Sequence, residues 1–207
     1  MIIQTLINSI FQFLLFSLIP FIWWVIFWRK KEKFLPWIGI KKPVIKNKRL
    51  VYGGGCLFLM VSMLSNIYVD FVGVVETSET AVGQFQGLGI AALFSALLYG
   101  MIQTGATEEI FFRGFLAKRF IKQFGFALGN TLQAFIFGFM HVALFQIAAS
   151  INIIQGLVIF SLPFLVGLFF GYINEKKSDG SLIPSWLMHG IGNVVASAVT
   201  MFNLSIK

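Results

Sequence analysis

The sequence predicts an all-α fold, a polytopic transmembrane helical bundle of about six spans, and three observations lead there. Hydrophobic residues make up 57% of the chain and charged residues 12%, and the mean hydropathy is +0.85. Several stretches run to about 20 apolar residues, the length a helix needs to cross a hydrocarbon core. Lipid offers no partner to backbone N–H and C=O groups, so only helices and closed barrels span it. These stretches lack the apolar–polar alternation of barrel strands, which leaves helices. One domain, residues 1–207, is expected, because no linker, repeat or low-complexity tract divides it.

Met1–Trp28 is the first span. Its charge follows the apolar run and no small-residue cleavage site ends it, so it reads as a retained helix and not as a signal peptide. Trp23, Trp24 and Trp28 stand where an interfacial aromatic belt belongs. Arg29–Arg49 is a basic loop holding nine of the sixteen Lys and Arg residues. Inside it, Phe34–Ile40 is a short apolar patch expected on the membrane surface. Leu50 to about Val69 is the second span, and the loop after it, from Asp70 to about Gly87, carries only the acids Asp70, Glu76 and Glu79.

A third apolar run starts near Leu88 and reaches Glu108 and Glu109, with Arg113, Lys118, Arg119 and Lys122 beyond it. Spans from about Phe126 to Ala148 and from about Ile153 to Ile173 follow; the latter holds Gly167 and Gly171, a Gly-x-x-x-Gly packing motif. Glu175–Gly180 is a polar turn. Pro184 suits the first turn of the last span, about Ser185–Leu204. With six spans, all three basic segments fall on one side. By the positive-inside rule that side is the cytoplasm, which places both termini outside a multi-pass protein of the cell membrane. The net charge of +8 is therefore topogenic, and nucleic acid is not an expected partner. The single cysteine, Cys56, excludes an intrachain disulfide.

Ionisable groups at membrane depth are costly and persist when they pair or do chemistry. Of eight acidic residues only Glu108 and Glu109 lie within or against a span, and both histidines, His141 and His189, lie in spans. Glu109 and Arg113, at i,i+4, can form an ion pair on one helix face. Glu108, rotated by about 100° on an α-helix, is free to meet another element, on a face shared with Thr104. On the last span Ser185, His189, Asn193 and Ser197 recur every four residues, a stripe that should face protein or water. Such a set can activate water: a buried carboxylate beside an imidazole takes a proton, and the water attacks a carbonyl. A second His with an Asn can donate to the developing oxyanion. The same Glu108, His141 and His189 could instead hold zinc, although the His-Glu-x-x-His pattern is absent. No hydroxyl is evidently paired with a histidine as a nucleophile.

At these residues the sequence resembles the CPBP family of intramembrane proteases, which includes Rce-type CAAX prenyl endopeptidases and bacterial members linked to bacteriocin immunity. The resemblance rests on Glu108-Glu109-Ile110-Phe111-Phe112-Arg113, on Phe137-Gly138-Phe139-Met140-His141 and on His189-Gly190-Ile191-Gly192-Asn193, in order and on separate spans between about Leu88 and the C-terminus. It implies hydrolysis of a peptide bond in a membrane-embedded or lipid-associated peptide or protein, in contact with the bilayer. By the same resemblance Glu108 is the general base and His141 holds the water. His189 and Asn193 stabilise the oxyanion, Glu109 and Arg113 support or orient substrate, and no metal is required. A bacterial chain of this kind suits a peptide pheromone or bacteriocin precursor. Two rivals stand beside it: a non-catalytic immunity or interaction protein on the same scaffold, and a proton- or ion-coupled transporter, which should show inverted repeats. One conflict follows from the boundaries. His141 falls roughly 22 Å along the fourth span, while Glu108 falls near the cytoplasmic end of the third. A fourth span starting near Asn130, a tilted helix, or a deeper Glu-bearing helix would bring them together.

Overall fold

A computed structural model describes residues 1–72 and 80–204, with the backbone alone over 65–72. Of the acids expected in the loop after the second span, Asp70 falls within the described helix that ends at Val72, and Glu76 and Glu79 lie outside the described residues. Helices account for the ordered elements: α1 (Ile2–Phe27), α2 (Phe34–Ile38), α3 (Lys48–Val72), α4 (Gly89–Phe124), α5 (Phe126–Ala149), α6 (Ile153–Lys177) and α7 (Ile183–Met201). Among the described residues α1, α4, α5 and α6 are long and apolar enough to cross a membrane. The expected second and sixth spans do form helices, α3 and α7. Among the described residues α7 falls short of that measure, since it carries the Ser185, His189, Asn193 and Ser197 stripe.

The third span departs most from expectation. It does not stop at the glutamates but runs unbroken to Phe124, so Glu108 lies deep in the bundle. Gly125, at φ +79°, turns the chain directly into α5. Glu108 stands seventeen positions before this turn and His141 sixteen after it. Two antiparallel helices leaving one tight turn bring equidistant residues level, which resolves the conflict in favour of the deeper helix. Much of α4, Tyr99–Ala106 and Glu109–Ala117, winds as π-helix with i→i+5 bonding, a form that recurs at functional sites. Thr104 Oγ1 donates to the Tyr99 carbonyl (3.0 Å) and Thr107 Oγ1 to the Ile102 carbonyl (3.0 Å), so hydroxyls reinforce the wider turns.

Helices α5 and α6 pack closely. The Gly-x-x-x-Gly motif faces α5: a Cβ on Gly167 would lie 2.9 Å from Ala134 Cβ, and one on Gly171 would overlap the Asn130 side chain. That approach lets Asn130 Nδ2 donate to the Leu168 carbonyl (2.9 Å) and Gln133 Nε2 to the Gly167 carbonyl (2.8 Å). At the other end of α6, Asn152 caps the helix by accepting from the Ile154 and Gln155 amides, and Gln155 reciprocates.

The basic segments share one end of the bundle. Lys118 pairs with Glu175 (2.7 Å), Lys41 with Asp179 (3.2 Å), and the Lys46 amide donates to the Lys177 carbonyl (2.9 Å). Lys31 and Lys122 both lie over the Trp28 ring. The Phe34–Ile40 patch, expected on the membrane surface, packs one side against the protein and leaves Leu35 and Pro36 exposed. Helix α2 inserts into this end of the bundle, with Trp37 4% and Ile38 0% exposed against Ile110, Phe115 and Leu182. Gly39 closes it at φ +96°, its carbonyl accepts from the Leu182 amide (2.9 Å), and Arg119 stacks on the Trp37 ring at 3.7 Å.

Candidate functional site

The site forms where α4 and α7 touch backbone to backbone. A Cβ on Gly100 would meet the Gly190 carbonyl at 2.8 Å, and one on Gly105 would stand 3.0 Å from Gly190 Cα. Small residues are what allow helices in lipid to approach this closely. The contact carries Glu108 and Glu109 of α4 against His189 and Asn193 of α7.

The two carboxylates have different surroundings. Glu109, 0% exposed, is fully engaged. Its Oε1 pairs with Arg113 Nη1 (3.0 Å) and accepts from His189 Nδ1 (3.0 Å), while its Oε2 accepts from Ser185 Oγ (2.5 Å). Asn174 Nδ2 donates to that Ser185 hydroxyl (2.7 Å), extending the network to α6. Arg113 is 1% exposed, and its guanidinium lies 4.0 Å from the Phe137 ring centre and 5.5 Å from that of Phe170. A cation removed from water gains from aromatic faces as well as from its counter-ion.

Glu108 has no cation of its own. Its Oε2 is buried with no hydrogen-bond partner among the described residues, and His189 Nε2, at 3.7 Å, is beyond hydrogen-bond range. The carboxylate lines a cavity of about 420 Å³ together with His141, His189, Asn193, Thr104 and Tyr99. His141 Nδ1 donates to the Phe137 carbonyl (2.8 Å), which leaves Nε2 as the nitrogen with a free valence. His189 Nδ1 is committed to Glu109, so its Nε2 is likewise the free nitrogen. Asn193 Nδ2 donates to Thr104 Oγ1 (2.7 Å), fixing its amide at the cavity wall. The Phe137 ring centre lies 4.6 Å from that of His141 and 6.1 Å from that of His189, so one aromatic ring braces both imidazoles.

All four residues read as catalytic from the sequence thus border one cavity, and Glu109 and Arg113 stand behind it as a buried support. Sequence reasoning missed Asn174, Phe170, Gln12 and Gln103. The last two also border the cavity; Gln103 Nε2 donates to Gln12 Oε1 (3.4 Å), and Ser9 Oγ to Gln103 Oε1 (3.4 Å). The available signal was Thr5, Ser9 and Gln12, polar residues at helical spacing in a largely apolar α1. Asn174 and Phe170 left no such trace.

Zinc has candidate donors in Glu108, His141 and His189, but among the described residues no three His, Cys, Asp or Glu side chains converge as a metal-ligand group. The arrangement offers a free carboxylate, two imidazoles with oriented free nitrogens and an amide, a set able to hold and deprotonate water beside a polarised carbonyl.

A family model described as Type II CAAX prenyl endopeptidase Rce1-like matches residues 89–195. That stretch is just over half of the chain; it spans α4 to α6 and most of α7, and it contains all six residues named from the sequence. Neither a curated protein nor a solved structure matches the chain.

Proposed function

Because the chain belongs to the Rce1-like family of type II CAAX prenyl endopeptidases, we propose that it is an intramembrane endopeptidase that hydrolyses a peptide bond by glutamate-activated water. The observation that carries the reading is the division of labour between adjacent carboxylates. Glu109 is saturated by Arg113, His189 and Ser185, whereas Glu108 keeps an oxygen with no hydrogen-bond partner among the described residues on the cavity that both histidines border.

Glu108 takes a proton from a water held by the Nε2 of His141, and the resulting hydroxide adds to the scissile carbonyl carbon. The carbonyl electron pair moves to oxygen, where the second N–H of the Asn193 amide and the Nε2–H that His189 carries as an imidazolium, its Nδ1–H held by Glu109, donate to it. As the intermediate collapses, the C–N bond breaks and the proton on Glu108 passes to the leaving amine. Arg113 neutralises Glu109, so that the network orienting His189 remains in place. The basic end of the bundle faces the cytoplasm in this reading, with both termini outside, and the substrate is a membrane-embedded or lipid-associated peptide.

Cleavage of a fluorogenic membrane-peptide library by purified protein in detergent tests the mechanism. Glu108→Gln should lower the turnover rate by about 10²–10⁴, the share of a positioned general base, and a strong chelator should leave wild-type activity intact. Loss with chelator and rescue by zinc would replace the water-holding role of His141 and His189 with metal ligation. A folded wild type that cleaves nothing would point to a non-catalytic immunity or interaction protein.

A further inference from the structure

A side-chain amide taken out of water is costly unless its polar atoms are matched. Three amides in the bundle are matched closely. Asn130 Nδ2 reaches the Leu168 carbonyl at 2.9 Å, Gln133 Nε2 the Gly167 carbonyl at 2.8 Å, and Asn193 Nδ2 the Thr104 hydroxyl at 2.7 Å. Gln12 of α1 and Gln103 of α4 differ from these. Gln103 Nε2 donates to Gln12 Oε1 at 3.4 Å, and Gln103 Oε1 faces Ser9 Oγ at 3.4 Å. Both contacts are longer than the roughly 2.7–3.2 Å of an ordinary bond, and the Ser9 hydroxyl has a closer acceptor in the Thr5 carbonyl at 2.7 Å. The two glutamines are loosely tied.

Each glutamine amide carries two N–H bonds. Of the four, one on Gln103 meets an acceptor among the described residues. Both side chains are half-buried and border the cavity that also holds Glu108, His141, His189 and Asn193. Gln103 precedes Glu108 by five positions on α4, at most about 7.5 Å of rise. A peptide lying extended along α4 advances about 3.3 Å per residue, which sets the glutamines about two residues from a carbonyl held at Glu108. Leu144 and Phe145 of α5 give the same cavity apolar wall for side chains. Gln12 lies outside the residues 89–195 that match the family model, so α1 adds its donors to a site that the matched region does not complete alone.

We infer that Gln12 and Gln103 form a subsite for peptide backbone: their amide N–H groups donate to carbonyls of an extended substrate about two residues from the scissile bond. The peptide replaces the long contact between the glutamines with bonds to its own backbone. A chain that leaves water for membrane depth needs such partners. A helical segment has its carbonyls occupied by its own i→i+4 bonds, so the subsite selects unwound chain and is indifferent to side-chain identity. The distance to the scissile bond rests on the protease reading above, whereas binding of the backbone does not require cleavage.

The test uses the full-length protein in detergent and a set of uncharged fluorescent peptides built from Ala, Leu, Gly and Thr. Gln12→Leu and Gln103→Leu keep bulk and remove the donors. Each should raise KM by about 3- to 10-fold, the scale of one lost hydrogen bond, and should raise KM more than it lowers kcat. The same loss should appear in the Kd that fluorescence anisotropy reads in the Glu108→Gln background. A series of peptides with one backbone amide replaced by an ester, whose carbonyl is the weaker acceptor, separates recognition from a structural role. An ester about two residues from the cleaved bond should weaken binding to wild type and change little in the leucine variants. Unchanged KM and Kd in both variants, or an equal ester cost with and without the glutamines, overturns the subsite. If a leucine variant fails to fold, the ester series on wild type decides: a loss confined to that position supports the subsite, and indifference at every position overturns it. Binding that depends on both glutamines without any cleavage keeps the subsite and overturns the protease reading. A folded wild type that neither binds nor cleaves the peptides overturns both.

Discussion

Arg113 is the residue on which the buried electrostatics turn. Its charge answers Glu109, and its guanidinium rests on Phe137 and Phe170. Replacing it with methionine keeps the bulk but strands a carboxylate in a dry interior, a loss of about 3–5 kcal/mol for a broken buried pair. Thermal unfolding in detergent should register that loss, and Arg113→Met combined with Glu109→Gln should recover part of it. Asn193→Ala should leave the melting temperature nearly unchanged while lowering turnover by about 10²–10³, the scale of one oxyanion donor. The i,i+4 spacing made the Glu109–Arg113 pair legible from sequence, and the scarcity of acids and histidines in spans singled out Glu108, His141 and His189. Asn174 and Phe170 were not legible, because a polar residue near a helix end and a phenylalanine among 25 carry no spacing signal.

Helix pairs set the distances within which those side chains act. On α5 and α6, an added Cβ at Gly171 overlaps Asn130, so Gly171→Ala should destabilise the protein by about 1–3 kcal/mol, the usual cost of overpacking. Asn130→Ala removes the clashing atoms, and the double variant should therefore lose less than the sum of the single losses, a coupling that unfolding midpoints would reveal. The Gly-x-x-x-Gly motif predicted this face correctly. The π-helical winding of α4 was invisible, since it depends on threonine hydroxyls meeting carbonyls five residues back and not on hydrophobic period. The end of α4 was misplaced for a related reason. Charged residues were taken to mark the membrane boundary, yet Glu109 and Arg113 neutralise each other inside the bundle and let the helix continue.

Across the whole molecule, lysine and arginine collect at one end of the bundle, where α2 packs against α4 and the loop before α7. The distribution of lysine and arginine made the first half of that statement readable, because three loops agree. The packing of α2 was not readable: Phe34–Ile40 has the composition of a surface-lying segment, and only contacts from α4 and the loop before α7 show that Trp37 and Ile38 are buried. Trp37→Ala should cost about 3–5 kcal/mol, the range for truncating a large buried aromatic, and should make Lys118→Cys in a Cys56→Ser background react faster with a thiol reagent after lysis. The hairpin around Gly125 has a further implication for how such chains can diverge. Because Glu108 and His141 are brought level by counting outward from one turn, the stretch between them works as a ruler. Substitutions along it are tolerable wherever packing allows, but gaining or losing a residue in one arm slides that arm by about 1.5 Å and turns it by about 100°, whereas residues added beyond either mark, toward the outer ends of α4 and α5, leave the pair in register.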